Sequence, residues 1–270
     1  MSQSSVLPQM VTAISAPLRG IPIAQASGLS TLHTYYHALF VAHGPQHWWP
    51  GRTRFEIIVG TILTQNTSWK NVERAIANLR AAKLLSPAAI RTVFSATLAK
   101  HLRPSGYFRQ KTKSLKSFVA FLYEHHAGSL NRLFATPTAT LRDQLLSVRG
   151  IGPETADSIL LYAGKQPLFV VDAYSRRILE RHDLLPLEAQ TNSRRSYEQI
   201  RSLFESHLPR DPQLFNEFHA LIVQTGKLHC RKSNPLCPDC PLSRFLPASH
   251  HPSTTHQSPV ASHRSRIALP

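Results

Sequence analysis

The chain has 270 residues and carries 31 Lys and Arg against 15 Asp and Glu, which gives a net charge of +16 and a pI of about 10.4. Such a basic chain favours a polyanionic partner, nucleic acid first and an anionic membrane surface second. The sequence has no apolar run of about twenty residues, which excludes a predicted membrane span, and residues 1–30 show no secretory signal pattern. Because three cysteines near the C-terminus do not make a disulfide framework, we expect an intracellular location, in the cytoplasm or nucleoid.

Helical periodicity dominates the chain and strand-like alternation is scarce, so the predicted fold class is all-α. The Ser- and Pro-rich segment 1–29 and the Ser/Pro/His-rich tail 247–270 are predicted to be disordered. We expect Ser86 to cap a short helix that starts at Pro87, and Thr140 to cap the helix that ends at Val148. Further apolar helical patterns cover residues 32–42, 55–63, 72–79, 115–122, 178–185, 197–208 and 214–228.

Two stretches near the start of the predicted globular part combine aromatic and amide side chains. The first contains Trp48 and Trp49, followed by Pro50. Two adjacent Trp side chains cannot both face one core, so one of them is either half-exposed packing or a flat surface on which a base can stack. The second is Leu63-Thr64-Gln65-Asn66-Thr67, in which the Gln65 amide can both donate and accept hydrogen bonds.

A glycine hairpin joins two predicted helices in the middle of the chain. The apolar run before it stops at Val148, Gly150 and Gly152 flank one apolar residue, and Pro153 occupies the favoured first position of the next helix. Such a turn exposes backbone N–H groups that suit a phosphate, although an ordinary helix–helix turn has the same pattern. Asp172 follows Gly152 by twenty residues, directly after the apolar pair Val170-Val171.

The hairpin, Asp172 and the Leu63–Thr67 stretch together resemble the endonuclease III superfamily of helix-hairpin-helix DNA glycosylases, over about residues 30–246. The resemblance implies two helical lobes with a cleft between them, and Asp172 as the catalytic carboxylate facing that cleft. It also implies that double-stranded DNA with a damaged base is the substrate, and that Gln65 fills the gap left by the flipped nucleotide. We expect a monomer.

Trp49, Pro50 and Trp69 extend this resemblance to the 3-methyladenine glycosylase branch, in which aromatic residues at these positions sandwich an alkylated purine. An alkylated base carries positive charge, which the face of an aromatic ring attracts. Stacking favours planar bases in general, so the aromatic residues do not fix the substrate by themselves. The implied base pocket consists of Trp49, Pro50 and Trp69.

Further residues are expected to bind the DNA backbone. Arg109 and Lys111 crowd the first turn of a predicted helix, where cations are unfavourable to the helix dipole, so an external anion such as DNA would stabilise them. Ordinary solvated charge is the alternative. The residues around the hairpin that are expected to grip phosphate are Arg149, Gly150, Gly152 and Thr155.

The resemblance also predicts the reaction type. Bifunctional members of the superfamily carry a lysine two residues after the second hairpin glycine, and this lysine forms a Schiff base before the strand is nicked. The equivalent residue here is Glu154, which cannot form a Schiff base, so the enzyme is predicted to be monofunctional; a structural role for Glu154 at a helix N-terminus is favoured over a catalytic one. Two alternatives are an endonuclease III-type enzyme for oxidised pyrimidines, with Lys165 as the amine, and a non-catalytic DNA-binding protein.

The three cysteines lie close together, at Cys230, Cys237 and Cys240, a spacing typical of a metal or iron–sulfur site. Members of the superfamily bind a [4Fe-4S] cluster with four cysteines, and the fourth position is Leu246 in this chain. A cluster with four cysteine ligands therefore cannot form. The remaining alternatives are completion by His250 or an external ligand, loss of the cluster, and a loop packed as ordinary apolar structure.

Overall fold

The computed structural model describes residues 31–185, 189, 191 and 193–248. This part of the chain is helical and contains no β-strand, which confirms the predicted all-α class. The segment 1–29, nearly all of the tail 247–270 and His250 lie outside the described residues. No helix within the described part is long and apolar enough to cross a membrane.

The helices follow one another with short connections. A 3-10 turn at Arg103–Ser105 precedes α6, and a π-helical turn at Ile159–Ala163 continues α9. The α-helices are α1 (Thr31–His43), α2 (Arg54–Leu63), α3 (Trp69–Ala81), α4 (Pro87–Thr92), α5 (Ser95–Leu102), α6 (Phe108–His126), α7 (Leu130–Ala135), α8 (Thr138–Ser147), α9 (Pro153–Ser158), α10 (Ala173–Arg181), α11 (Arg194–His207) and α12 (Pro212–Leu228).

Two apolar cores define two lobes. The first lobe, α2 to α9, is built around fully buried side chains such as Ile58, Leu79 and Phe118. The second lobe combines α1 with α10, α11 and α12, and its core includes Phe169, which stacks on Phe204 with ring centroids 3.8 Å apart. The first helix therefore packs with the last ones, and the chain enters the second lobe again within the π turn, at Leu161 and Tyr162.

Local signals explain most helix ends, and two predictions need correction. Ser86 caps α4 as predicted, because its side chain accepts a hydrogen bond from the Ala89 N–H. Thr140 does not cap α8, since this helix already begins at Thr138 after Pro137. The helix predicted for residues 178–185 ends at Arg181, because Asp183 takes a left-handed backbone conformation with φ of 52°.

A buried polar network joins the two lobes. Arg142 of α8 donates to both oxygens of Asp157 in α9, over 2.6 and 3.1 Å, and to Glu198 of α11 over 2.7 Å. Tyr197 of α11 donates to Asp157 over 2.9 Å and accepts from the Val171 N–H over 3.4 Å. The helices that flank the hairpin are thereby tied to the segment that leads into Asp172.

Candidate functional site

The hairpin between α8 and α9 has a backbone that only glycine suits. Gly150 has φ of +85°, and a Cβ at this position would collide with the Ser114 side chain of α6. Ile151 is buried and anchors the turn, whereas Arg149 and Gly152 are exposed. A Cβ on Gly152 would meet nothing within 4 Å. The tip of the hairpin is therefore an open surface on a rigid base.

Gln65 connects the turn after α2 with the hairpin. Its Nε2 donates to Thr155 Oγ1 over 2.8 Å and to the Gly150 carbonyl over 3.3 Å. Thr155 is itself buried. Three of the residues that the sequence singled out, 90 positions apart at most, thus form one wall of a cleft.

This cleft lies between the lobes and has a volume of about 1240 Å³. Glu154, Asp172 and Tyr197 line it together with the Gln65 turn and the hairpin. Sequence reasoning missed the cations that also line it, because they are scattered over three regions of the chain. These residues are Arg177, Arg194, Lys227, Arg231 and Lys232.

Asp172 is held at the N-terminus of α10 as its cap. Its Oδ1 accepts hydrogen bonds from the Ser175 N–H over 2.8 Å and from Ser175 Oγ over 2.9 Å. Its Oδ2 lies 3.5 Å from Nε2 of His219 in α12. Burial alone would raise the pKa of Asp172, but the contacts with His219 and Ser175 more than offset this and hold the pKa below its ordinary value. The structure therefore presents an ionised carboxylate in the cleft.

Glu154 lies in the first turn of α9, exposed toward the same cleft. Desolvation by the surrounding walls, with a further contribution from the negative charge of Asp172, raises the pKa of Glu154 to about 7. Two carboxyl groups with different protonation behaviour thus share the site. The sequence predicted that the dipole of α9 stabilises a negative charge on Glu154, which would lower its pKa. Because the pKa is raised instead, the dipole is not the dominant influence on Glu154.

Sequence reasoning also missed the pair behind Asp172. Tyr162 and His219 are both 5% exposed, and Tyr162 Oη lies 2.6 Å from His219 Nδ1. Tyr162 belongs to the π turn and His219 to α12, 57 positions later. Both occupy apolar helical stretches, so nothing in the local pattern distinguished them from ordinary core residues.

The aromatic residues of the predicted base pocket are together but do not line the open cleft. The Trp49 ring stacks on Tyr162, with centroids 5.0 Å apart, and meets Trp69 edge-on at 4.9 Å. Trp69 Nε1 donates to Glu73 over 2.8 Å. Pro50 is exposed. Trp49 therefore fills the space between Tyr162 and Trp69 in this structure.

The two cations predicted to bind DNA at α6 differ in their surroundings. Arg109 is exposed. Lys111 is only 2% exposed and its Nζ donates to the Ser105 carbonyl over 2.5 Å, which corrects the prediction that it contacts DNA. Burial lowers the pKa of Lys111 to about 8. The same helical spacing that crowds these cations turns Lys111 inward, where it satisfies a loop carbonyl.

The three cysteines line one small enclosed cavity, and Leu246 lines it too. The Cys230 sulfur accepts a hydrogen bond from Arg181 over 2.9 Å, and burial raises the pKa of Cys240 to about 11. Leu246 offers no donor atom, and no group of three or more His, Cys, Asp or Glu in the described part of the chain is arranged to hold a metal ion. The described residues do not supply the four ligands of a [4Fe-4S] cluster, so we assign no chemistry to such a group.

Comparison with known proteins identifies the family. Residues 59–208 match the HhH-GPD superfamily base excision DNA repair protein family. A Methanocaldococcus jannaschii protein, named as a candidate DNA repair glycosylase, is 44% identical over 216 residues, which cover 79% of this chain and 94% of the relative. Endonuclease III of Thermotoga maritima is 26% identical over 186 residues, 69% of this chain and 79% of the relative.

Solved structures agree with this family. The H. pylori 3-methyladenine DNA glycosylase MagIII, bound to 1,N6-ethenoadenine, is similar with a TM-score of 0.59 and 28% identity, over 72% of this chain and 96% of that protein. A non-covalent endonuclease III–DNA complex shares the fold, with a TM-score of 0.64 and 20% identity, over 81% of this chain and 96% of that one. The chain belongs to the HhH-GPD superfamily of base excision DNA repair proteins and is a DNA repair glycosylase that acts on DNA.

Proposed function

We propose that the enzyme releases an alkylated purine from double-stranded DNA by hydrolysis, as a monomer and without nicking the strand. The observation that carries this proposal is the pairing of an ionised Asp172 with Glu154 at the position where a lyase needs an amine. The catalytic domain is proposed to be residues 30–246, and the enzyme to work inside the cell, where its substrate lies.

The DNA grip consists of the hairpin and the cleft cations. The exposed tip of the hairpin contacts neighbouring phosphates of the DNA through Arg149, Gly150 and Gly152. Arg109 contacts the DNA backbone farther along. Gln65, braced by Thr155, enters the duplex where the target nucleotide has left. The cost of flipping is a few kcal/mol, which the backbone contacts offset.

The flipped base is proposed to bind among Trp49, Pro50 and Trp69. Because Trp49 stacks on Tyr162 and touches Trp69, base entry requires these rings to separate. A cationic alkylated purine then replaces the ring–ring contacts with base–ring contacts, which its charge strengthens. The similarity to a 3-methyladenine glycosylase bound to an ethenoadenine supports this choice of substrate class.

The chemistry is hydrolysis of the N-glycosidic bond. As the bond between the base and C1′ breaks, the sugar gains oxocarbenium character, and the Asp172 carboxylate stabilises this positive charge. Water adds to C1′ and its proton is released to solvent, so the products are a neutral free base and an abasic site. Alkylation already weakens the glycosidic bond of the substrate, since the base leaves without its positive charge.

Duplexes that each hold one lesion test the proposal: 3-methyladenine, 7-methylguanine, uracil or thymine glycol. Each reaction is analysed with and without alkali and with and without borohydride. We expect breaks from the alkylated purines only after alkali, no trapped adduct, and loss of release with normal DNA binding in Asp172→Asn. Strand nicking of thymine glycol duplexes without alkali would overturn the proposal, as would binding without release on every duplex.

The lyase alternative gains no support from Lys165. This residue is exposed just after the π turn and does not line the cleft, so its amine is not placed to reach C1′ of a nucleotide beside Asp172.

A further inference from the structure

Asp172 and two side chains behind it, each from a separate element, form a line that leads away from the cleft. Tyr162 Oη of the π turn lies 2.6 Å from His219 Nδ1, and His219 Nε2 lies 3.5 Å from Asp172 Oδ2. Tyr162 and His219 are buried, whereas Asp172 borders the cleft. Within the described part of the chain, this buried Nε2 has no hydrogen-bond partner, so Asp172 Oδ2, at an ion-pair distance, is the acceptor available to it.

The order of the groups determines where the protons lie. An ionised carboxylate only accepts hydrogen bonds, so Nε2 of His219 must carry a hydrogen to interact favourably with Asp172. In a neutral imidazole Nδ1 is then an acceptor, and it accepts a hydrogen bond from the Tyr162 hydroxyl. Burial raises the pKa of Tyr162 far above its ordinary value, which keeps that hydroxyl protonated. All three groups thus fit one arrangement, Tyr162 to His219 to Asp172.

Asp172 uses its two oxygens for different purposes. Oδ1 is occupied by the Ser175 N–H and hydroxyl, and this contact is sufficient to cap α10. Oδ2 is free of the cap and faces His219. A helix cap therefore explains the position of the backbone and of Oδ1, but it does not explain why a buried N–H donor stands beside Oδ2.

We propose that His219, fixed by Tyr162, is a positioning residue that keeps Asp172 a carboxylate and directs it at the reacting sugar. The inference rests on the proposed role of Asp172 in base release. The hydrogen of Nε2 fixes the carboxylate plane and makes Oδ2 a weaker base, which suits a group that must stay negative opposite a developing cation. Tyr162 supports this tautomer of His219 by donating to Nδ1, and loss of its hydroxyl leaves Nδ1 without that partner.

Other charged groups also face Asp172 and affect its titration. Glu154 of α9 repels its negative charge, and Tyr162 and His219 approach it from the buried side. Arg177 and Lys227 line the same cleft and remain unchanged in variants of His219 and Tyr162. A shift that appears only when His219 or Tyr162 is altered is therefore due to this pair.

The kinetic test measures the single-turnover rate of base release against pH, on the lesion that the wild type processes. We expect the acid limb of the His219→Ala profile to move up by roughly 1–3 pH units, because the carboxylate loses its donor. His219→Gln keeps an amide donor and should show a smaller shift, and Tyr162→Phe should lie between it and the wild type. A stably folded His219→Ala whose acid limb matches the wild type would overturn the inference.

A readout without activity separates this inference from the proposed function. Long-range proton–nitrogen NMR spectra of the full chain report the tautomer of His219, and carboxyl carbon titration reports Asp172. We expect hydrogen on Nε2, and an Asp172 titration that rises in His219→Ala and, if that variant does not fold, in Tyr162→Phe. Hydrogen on Nδ1 or an unchanged Asp172 titration would refute the inference even in an active enzyme. An inactive wild type with both NMR results as expected would refute the proposed function alone.

Discussion

Replacing Arg142 by methionine tests the polar network that joins the two lobes. Asp157 is 0% exposed and receives both of its shortest contacts, 2.6 and 2.9 Å, from Arg142 and Tyr197. Methionine would leave a buried carboxylate with Tyr197 and with Arg201, which is 4.0 Å away. Loss of one partner of a buried ion pair costs about 3–5 kcal/mol, and since two weaker partners remain we expect about 3 kcal/mol.

Urea unfolding at pH 7 measures this loss, with an unchanged m-value showing that the unfolding transition itself is the same. Glu180→Ala is the control, because Glu180 is 46% exposed and its contact with Arg176 is 3.5 Å long. This exposed pair should contribute no more than about 0.5 kcal/mol. The double variant Arg142→Met, Asp157→Asn should recover part of the loss, since the unpaired buried charge is gone.

The stability loss in Arg142→Met should depend on pH, and the pKa of Asp157 determines the direction of this dependence. Burial raises the pKa of Asp157 and Arg142 opposes this rise, so the pKa of the folded state increases further in Arg142→Met. A carboxyl whose folded pKa lies above the unfolded one stabilises the fold at low pH, and this contribution is lost as the pH rises. The penalty should therefore shrink from pH 7 to pH 5. A loss below about 1 kcal/mol, the value of an exposed pair, or one independent of pH, would refute the reasoning.

Two further predictions concern the hairpin and Glu154. Gly150→Ala combines a left-handed backbone with a collision at Ser114, so it should lower stability by about 1–3 kcal/mol in thermal unfolding. Gly152→Ala is the control and should leave stability unchanged, because its Cβ would meet nothing within 4 Å. Equal effects of the two substitutions would show that the hairpin geometry is unimportant. For Glu154, whose pKa is about 7, ionisation places a negative charge in the DNA cleft, so affinity for an abasic-site duplex should fall between pH 6 and pH 8. Glu154→Gln should bind with a flatter pH dependence in fluorescence anisotropy, and an identical slope would exclude Glu154 as the titrating group.

The parts of the molecule that depend on neighbouring residues were predictable from the sequence. Apolar spacing indicated helices such as α2 and α12, and Ser86 and Pro87 marked the start of α4. The hairpin followed from its two glycines, because the φ of Gly150 is one that other residues avoid. The placement of Gln65 beside the hairpin and of Asp172 in the cleft depended on the family resemblance, since 85 positions separate Gln65 from Gly150.

Tertiary packing decided what the sequence could not show. Lys111 has the same local surroundings in sequence as Arg109, yet a loop carbonyl turns it inward. Tyr162 and His219 look like core residues within their own helices. Their polar atoms form a hydrogen bond only in the folded structure, where the π turn meets α12. Trp49 could have faced solvent or a base, and the neighbouring Tyr162 and Trp69 determine that it packs between them.

The two lobes contribute different residues to the site, and this explains why a polar network holds the lobes together. The hairpin and Gln65 belong to the first lobe, whereas Asp172, His219 and the cleft cations belong to the second, so the distance from hairpin to carboxylate depends on how the lobes meet. Apolar packing is tolerant of small shifts, but the paired hydrogen bonds from Arg142 to Asp157 accept only a narrow geometry. Because Tyr197 links Asp157 to Val171, one residue before Asp172, a loosened network moves the carboxylate more than it moves the hairpin. Arg142→Met should therefore slow base release more than it weakens DNA binding.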